Sequence, residues 1–165
     1  MINRYIRQYG KRLYGLCCTL CANTHDADDL YQDTWIKVVK SISQYDTSQD
    51  FEPWLTKICV NTYRNTLRRL SRSPIFNAFA TDEEKEAVIE SSPQPESPDY
   101  SCLHDAINAL PEKLRVTVIL FYFKDMDIIS AAQVLGVPSG TVKSRLNKAR
   151  KILKEVLTDE AAICF

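Results

Sequence analysis

The sequence predicts an all-α protein of two small helical domains, a three-to-four-helix bundle and a four-helix unit with a helix-turn-helix, joined by a flexible linker. Three observations predict it. Apolar residues recur at threes and fours through both ends of the chain, the signature of helices with one buried face. A turn at Gly136 to Pro138 joins two such helices between Asp127 and Lys154. Between the two halves, residues 73–100 carry Pro74, Pro93, Pro95 and Pro98 and an acidic run from Asp82 to Glu86, with little periodicity.

Charge divides the chain in the same places. The 165 residues are neutral overall, with 45% hydrophobic and 25% charged, enough for one ordinary core or two small ones. Residues 1–72 hold eleven Lys and Arg against seven Asp and Glu, residues 73–100 one against seven, and residues 101–165 nine against seven. Neutrality therefore hides two basic blocks and an acidic strap, whose charge suits disorder as well as function. The expected domains are 1–72 and 101–165, with 73–100 as linker.

Taken in order, Ile2, Tyr5, Ile6, Tyr9, Leu13, Leu16, Cys17 and Leu20 predict a first helix over 2–22, made irregular by Gly10 and Gly15. Thr24 or Asp26 is placed to cap a second helix from Ala27 to Tyr45, whose acidic first turn suits the helix dipole. Leu30, Thr34, Val38, Ile42 and Tyr45 form its inner stripe; Asp29, Gln32, Asp33 and Lys37 lie on a polar side. Asp46 to Asp50 contains no apolar residue and reads as a loop. A third helix follows, with Pro53 in its first turn and Phe51, Trp54, Leu55, Ile58, Cys59, Thr62 and Leu67 inward. Its outer edge, Asn61, Arg64, Asn65, Arg68, Arg69 and Arg72, is polar and increasingly basic. Trp54 and Tyr63 interleave there as stacking surfaces for unpaired bases.

Beyond the strap, Cys102, Ala106, Ile107 and Ala109 mark a short helix, and Pro111 opens another through Phe123. Leu114, Val118, Leu120, Phe121 and Tyr122 are the expected core; β-branching makes a strand the alternative for this stretch. Asp127 can then cap a helix whose inner residues are Ile128, Ala131, Ala132 and Leu135, and Gly136 can take the left-handed conformation that stops it. Ser139 starts the final helix, with Val142, Leu146, Ala149, Ile152, Leu153 and Val156 inward. From Ser139 to Lys154 there are six cations and no acid, which suits phosphates; a solvated basic face is the plainer reading.

Six cysteines show no repeated framework, as expected of reduced thiols in a cytoplasmic chain. Cys17, Cys21 and His25 fall every fourth residue, with Cys18 completing a CxxC, so a thiol or metal sensor is an alternative against simple packing. The N-terminus does not resemble a signal peptide, and no apolar run approaches the about 20 residues of a membrane helix. No Gly-rich phosphate loop, metalloprotease motif or nucleophile and base pair is recognisable, so no cofactor, metal or catalytic site is expected.

The order of these pieces resembles the bacterial extracytoplasmic-function sigma factors, sigma-70-like proteins that direct RNA polymerase to promoters. The resemblance rests on DADDLYQDTWIKVVKSISQYD and FEPWLTKICVNTYRNTLRR in the first half, and on ALPEKLRVTVILFYF and LGVPSGTVKSRLNKARKIL in the second. It implies a region 2 domain, a region 4 domain and a protein that is not an enzyme. Its implied partners are core RNA polymerase, through the beta-prime clamp and beta flap, promoter DNA, and a membrane-associated anti-sigma factor. By position, Asp28, Asp29, Gln32 and Asp33 would meet the clamp. Tyr45, Asp46, Thr47, Ser48 and Asn61 would capture bases of the minus-ten element, with Lys37, Arg64, Arg68 and Arg69 on phosphates. Lys143, Ser144, Asn147 and Lys148 would read the minus-thirty-five element, with Ser139, Thr141, Arg145 and Arg150 nearer phosphates. One departure stands out: Ile129 and Ser130 replace acids common in the family. Either a salt bridge supporting the recognition helix is missing or Ile129 packs in its place. The alternative function is a stand-alone dimeric helix-turn-helix repressor.

Overall fold

Amphipathic helices need partners for their apolar stripes, and in the computed structural model they find them within two compact units, Met1–Pro93 and Gln94–Phe165. The structure describes residues 2–72 and 101–163, with side chains for 2–72 and 103–158; the linker expected at 73–100 lies outside the described residues. Among the described residues every regular element is helical.

The first unit is a bundle of α1 (Ile2–Leu20), α2 (Thr24–Ser41) and α3 (Phe51–Ser71), each packed on the other two. Leu13, Leu16, Cys17 and Leu20 of α1 close a core with Ala27, Leu30, Trp35 and Val38 of α2 and Phe51, Leu55, Cys59, Val60 and Tyr63 of α3. The irregularity expected of α1 does not occur. Gly10 is buried against a side chain of α2: a Cβ there would lie 2.9 Å from Tyr31 Oη, so glycine makes room for Tyr31 and leaves the helix unbroken.

Three expectations for this unit are corrected. The cap of α2 is Asn23, whose extended backbone lets Oδ1 accept from Asp26 N at 2.8 Å while Nδ2 donates to Asp26 Oδ2 at 2.8 Å. The helix ends at Ser41, not Tyr45; a 3₁₀ turn, Ile42–Gln44, follows, and Tyr45 is extended. Finally, Tyr63 is 6% exposed and belongs to the core, so it offers no stacking surface.

Polar groups inside the bundle are mostly satisfied locally. Thr34 Oγ1 donates to Leu30 O at 2.6 Å and Thr62 Oγ1 to Ile58 O at 2.7 Å, so a buried threonine costs no orphaned hydroxyl. The Cys17 and Cys59 sulfurs meet at 3.8 Å across α1 and α3, and that contact together with burial raises the Cys17 thiol pKa far above its usual range. Cys21 closes the last turn of α1, its N–H on Cys17 O at 2.9 Å, but His25 belongs to α2 and does not continue that face; among the described residues no group of three His, Cys, Asp or Glu is placed to hold a metal.

The second unit contains α4 (Ser101–Asn108), α5 (Glu112–Val118), α6 (Ile128–Leu135) and α7 (Ser139–Ile163), with α7 packed against the other three. Ala106, Ile107, Leu110, Leu114, Val116, Val118, Ile119 and Leu120 form one side of its core, and Ala131, Ala132, Val134, Leu135, Val142, Leu146 and Ala149 the other. Ala109, expected within the short helix, lies just beyond the end of α4 and is exposed. The stretch open to a strand reading is helical, since Pro111 stands at the N-cap and both faces of the segment find core partners.

It does not stay α-helical to its end. Ile119–Phe123 forms a π turn, closed by Lys124 N to Ile119 O at 3.1 Å. The extra residue per turn rotates the last side chains outward: Phe121 is half-buried and Tyr122 is 48% exposed, contrary to their expected place in the core. Asp125 follows at φ 50, a left-handed conformation that aspartate adopts more readily than most residues and that ends the segment.

The helix-turn-helix has the expected joints. Asp127 Oδ1 accepts from Ser130 N at 2.6 Å. That bond holds the carboxyl below the ordinary aspartate value of 3.8. Its stabilisation is therefore fully present above the ordinary value and lost as pH falls through the lower folded value. Asp127→Ala should lower the thermal midpoint of the second unit at neutral pH and remove this part of its acid sensitivity, both read by circular dichroism. Gly136 sits at φ 65 and ψ 38, with its N–H on Ala132 O. Gly136→Ala should cost about 1 to 2 kcal/mol by chemical denaturation, the strain of an L-residue in that conformation.

Candidate nucleic-acid interface

Helix α7 turns Val142, Leu146 and Ala149 inward at helical spacing, so the residues between them must face out. Ser139, Lys143, Ser144, Asn147, Lys148 and Arg150 are exposed, and Thr141 and Arg145 are half-buried at the edges. All eight expected contact residues thus share one helix, opposite the core. Ser144 Oγ donates to Thr141 O at 3.0 Å, leaving its lone pairs outward.

Arg150 is held in a way the sequence did not suggest. Its Nε donates to Tyr122 Oη at 2.7 Å, its guanidinium carbon lies 5.7 Å from the Tyr122 ring centre, and its NH1 lies 3.4 Å from Asn147 Oδ1. Ile129 does not pack in place of the acids common in the family: it is 64% exposed.

The first unit presents its own candidate surface around the loop between α2 and α3. Asp46 Oδ1 accepts from Ser48 N at 2.9 Å, which keeps that carboxyl ionised to lower pH than usual. Gln49 N donates to Asp46 O at 3.1 Å, and Tyr45 Oη donates to Gln49 O. Below the loop lies an aromatic cluster. Tyr5 stacks on Phe51 at 4.1 Å between ring centres, Tyr45 lies 4.9 Å from Trp54 and 5.3 Å from Phe51, and Tyr9 lies 5.1 Å from Phe51. The loop is preformed before any ligand arrives, with Thr47 and Ser48 exposed at its tip.

On α3, Asn61, Arg68 and Arg69 are exposed and Arg64 is half-buried. Arg68, Arg69, Asn65 and Arg72 line one open depression. Lys37 reaches from α2 to donate to Thr62 Oγ1 at 3.1 Å, which carries an ammonium to the residue after Asn61. Trp54 is half-buried in the cluster, so only part of its ring faces solvent.

Asp28, Asp29, Gln32 and Asp33 are all exposed on α2. Asp28 leans toward α1, where its Oδ1 accepts from Tyr14 Oη at 2.8 Å and the Tyr14 phenol is pushed up to about 12. Asp29 lies 3.6 Å from His25 Nδ1. The sequence reading missed Ile36 and Val39, which are 51% and 53% exposed in the turns that follow on the outer side of α2. Their signal was present: neither fits the inner stripe of Leu30, Thr34 and Val38.

A left-handed glycine joint between α6 and α7, and an outer face of α7 that carries cations and no acid from Ser139 to Lys154, define a protein with a helix-turn-helix unit. The chain matches the Sigma-70 region 2 family model over residues 5–73 and the Sigma-70, region 4 model over residues 100–153. It is 32% identical to the ECF RNA polymerase sigma factor SigE of Mycolicibacterium smegmatis, over 95% of this chain and 62% of that protein. It is 26% identical to the ECF sigma factor SigW of Bacillus subtilis, over 92% of this chain and 86% of that one. The solved sigma factor RpoE from Bartonella quintana, in complex with the anti-sigma factor NepR, superposes with a TM-score of 0.79 at 25% identity, covering 95% of this chain and 96% of that one. The chain belongs to the ECF sigma factors of the sigma-70 family. It spans 62% of the length of the mycobacterial SigE.

Proposed function

We propose that this protein binds core RNA polymerase in the cytoplasm, recognises a two-part promoter and helps to melt it, catalysing no bond chemistry itself. The first unit engages the beta-prime clamp through Asp28, Asp29, Gln32 and Asp33, with Ile36 and Val39 adding an apolar margin to the carboxylate ridge. Such a ridge steers an Arg-rich partner surface as much as it holds it. The loop at Tyr45 to Ser48, with Asn61, takes bases of the minus-ten element, while Lys37, Arg64, Arg68 and Arg69 meet phosphates. Extracting a base costs a few kcal/mol of stacking, so a loop already tied down by Asp46, Gln49 and the aromatic cluster suits the task. The second unit lays α7 in the major groove of the minus-thirty-five element and offers the beta flap its other side. By likeness to the RpoE structure, an anti-sigma factor masks the protein until it is released, and holds it at the membrane if that partner is anchored there.

The observation that carries this reading is the order of the two family matches on two separate units. Transcription in vitro with purified core enzyme tests it: addition of the protein should produce transcripts with defined starts from a subset of bacterial templates. Specific footprints without polymerase, and no transcript with it, would instead fit a dimeric repressor. Asp29→Arg should impair capture of core enzyme in a pull-down while leaving the binding of an upstream-element duplex by the second unit unchanged.

A further inference from the structure

Tyr122 has no place in the core: it is 48% exposed. It stands on the π turn with its hydroxyl on Arg150, 28 residues away in sequence. A guanidinium has only donors, so both groups it touches must face it with oxygen: Tyr122 Oη at 2.7 Å and Asn147 Oδ1 at 3.4 Å. The ring of Tyr122 lies under the same cation, 5.7 Å from centroid to Cζ. Arg150 is thereby bracketed by an aromatic residue from another element and by a residue one turn earlier on its own helix.

The consequence falls on Asn147. An asparagine reads adenine by using both ends of its amide, Nδ2 donating to N7 and Oδ1 accepting from the exocyclic amine. With one of the two Oδ1 lone pairs engaged by Arg150 and the oxygen drawn to that side, Asn147 offers the groove its N–H donors more readily than its acceptor. Two acceptors side by side, N7 and O6, are the edge of guanine. We propose that Tyr122 is a positioning residue that fixes Arg150 against Asn147 and so biases the base under Asn147 toward guanine over adenine. The proposal rests on α7 being the reader of the upstream element. It adds a determinant that lies outside the reading helix.

The test uses the full-length protein with core polymerase and a set of promoter duplexes in which each base pair of the upstream element is varied in turn. One position should prefer guanine to adenine. Tyr122→Phe, which keeps the ring and removes the hydroxyl, should narrow that ratio by about threefold to tenfold, the worth of one hydrogen bond. The salt dependence of binding should be unchanged, because Arg150 keeps its charge. Asn147→Ala should remove the preference at the same position, and Tyr122→Phe should then have no further effect in that background. A guanine-to-adenine ratio untouched by Tyr122→Phe, or an equal effect of it with and without Asn147, overturns the proposal. A wild-type protein indifferent to every base of the element overturns the reading of α7 itself, and this proposal with it. Tyr122 is half exposed, so its phenylalanine variant should melt with the wild type, and circular dichroism checks that the comparison is between folded proteins.

Discussion

Leu120→Ala should destabilise the second unit by about 2 to 5 kcal/mol, the range for deleting a fully buried leucine. Leu120 and its neighbour Ile119 are both completely buried and belong to the π turn, where the chain must leave α5 and reach the start of α6. A unit of this size holds only several kcal/mol in total, so the loss is comparable with all of it. Circular dichroism should show part of the helical signal melting early, and hydrogen exchange should place that loss on the α7 amides while those of α1 to α3 stay protected. Leu120→Met, which keeps the volume, should cost less than about 1.5 kcal/mol. Similar costs for the two variants would mean that the site relaxes freely and is not close-packed.

Lys148→Ala should cost about 1 to 3 kcal/mol on promoters whose upstream element matches and much less on those that do not. In affinity this is about fivefold to 150-fold. The expectation follows from position. Lys148 is exposed beside Asn147, two residues past Leu146, which faces the core, and no acid between Ser139 and Lys154 competes for its charge. Arg145, half-buried at the edge of the same face, should behave differently. Its removal should weaken every sequence alike and lower the salt slope by about one. Holoenzyme binding across matched and mismatched duplexes, at several salt concentrations, separates the two. Equal losses on all sequences for both variants would refute the division between base reader and phosphate contact.

How much of this was legible depended on whether a feature is local. The helix-turn-helix was legible because each joint is written in one residue type: Asp127 for the cap, Gly136 for the left-handed stop and an acid-free run for the outer face. The inner stripe of α7 followed from spacing alone. Where the reading failed, either the local backbone or a distant partner had decided the matter. Tyr122 and Phe121 were read as core because a π turn, one extra residue in a helix, leaves no mark in a hydrophobic pattern. Tyr63 was read as outward because its neighbours are basic, yet tertiary packing buried it. Gly10 looked like a helix weakness and is a helix contact, since Tyr31 of α2 fills the space a side chain would need. In the candidate sites the cations and carboxylates were visible from charge and spacing. The devices that hold them were not: the Tyr122 hydroxyl on Arg150 and the aromatic floor of the loop join residues far apart in the chain.

The placement of the two tryptophans has an optical consequence. Trp35 is buried, meets Tyr31 edge-on at 6.2 Å, and its Nε1–H has no acceptor, so its emission should lie to the blue. Trp54 is half-buried among Tyr45 and Phe51 beside the loop, where its emission should lie further to the red and be quenched by a stacking base. Since the chain has no other tryptophan, selective indole excitation sees the first unit alone, and the second is dark to it. One cuvette therefore holds a built-in reporter of strand capture at the loop that is blind to duplex engagement by α7.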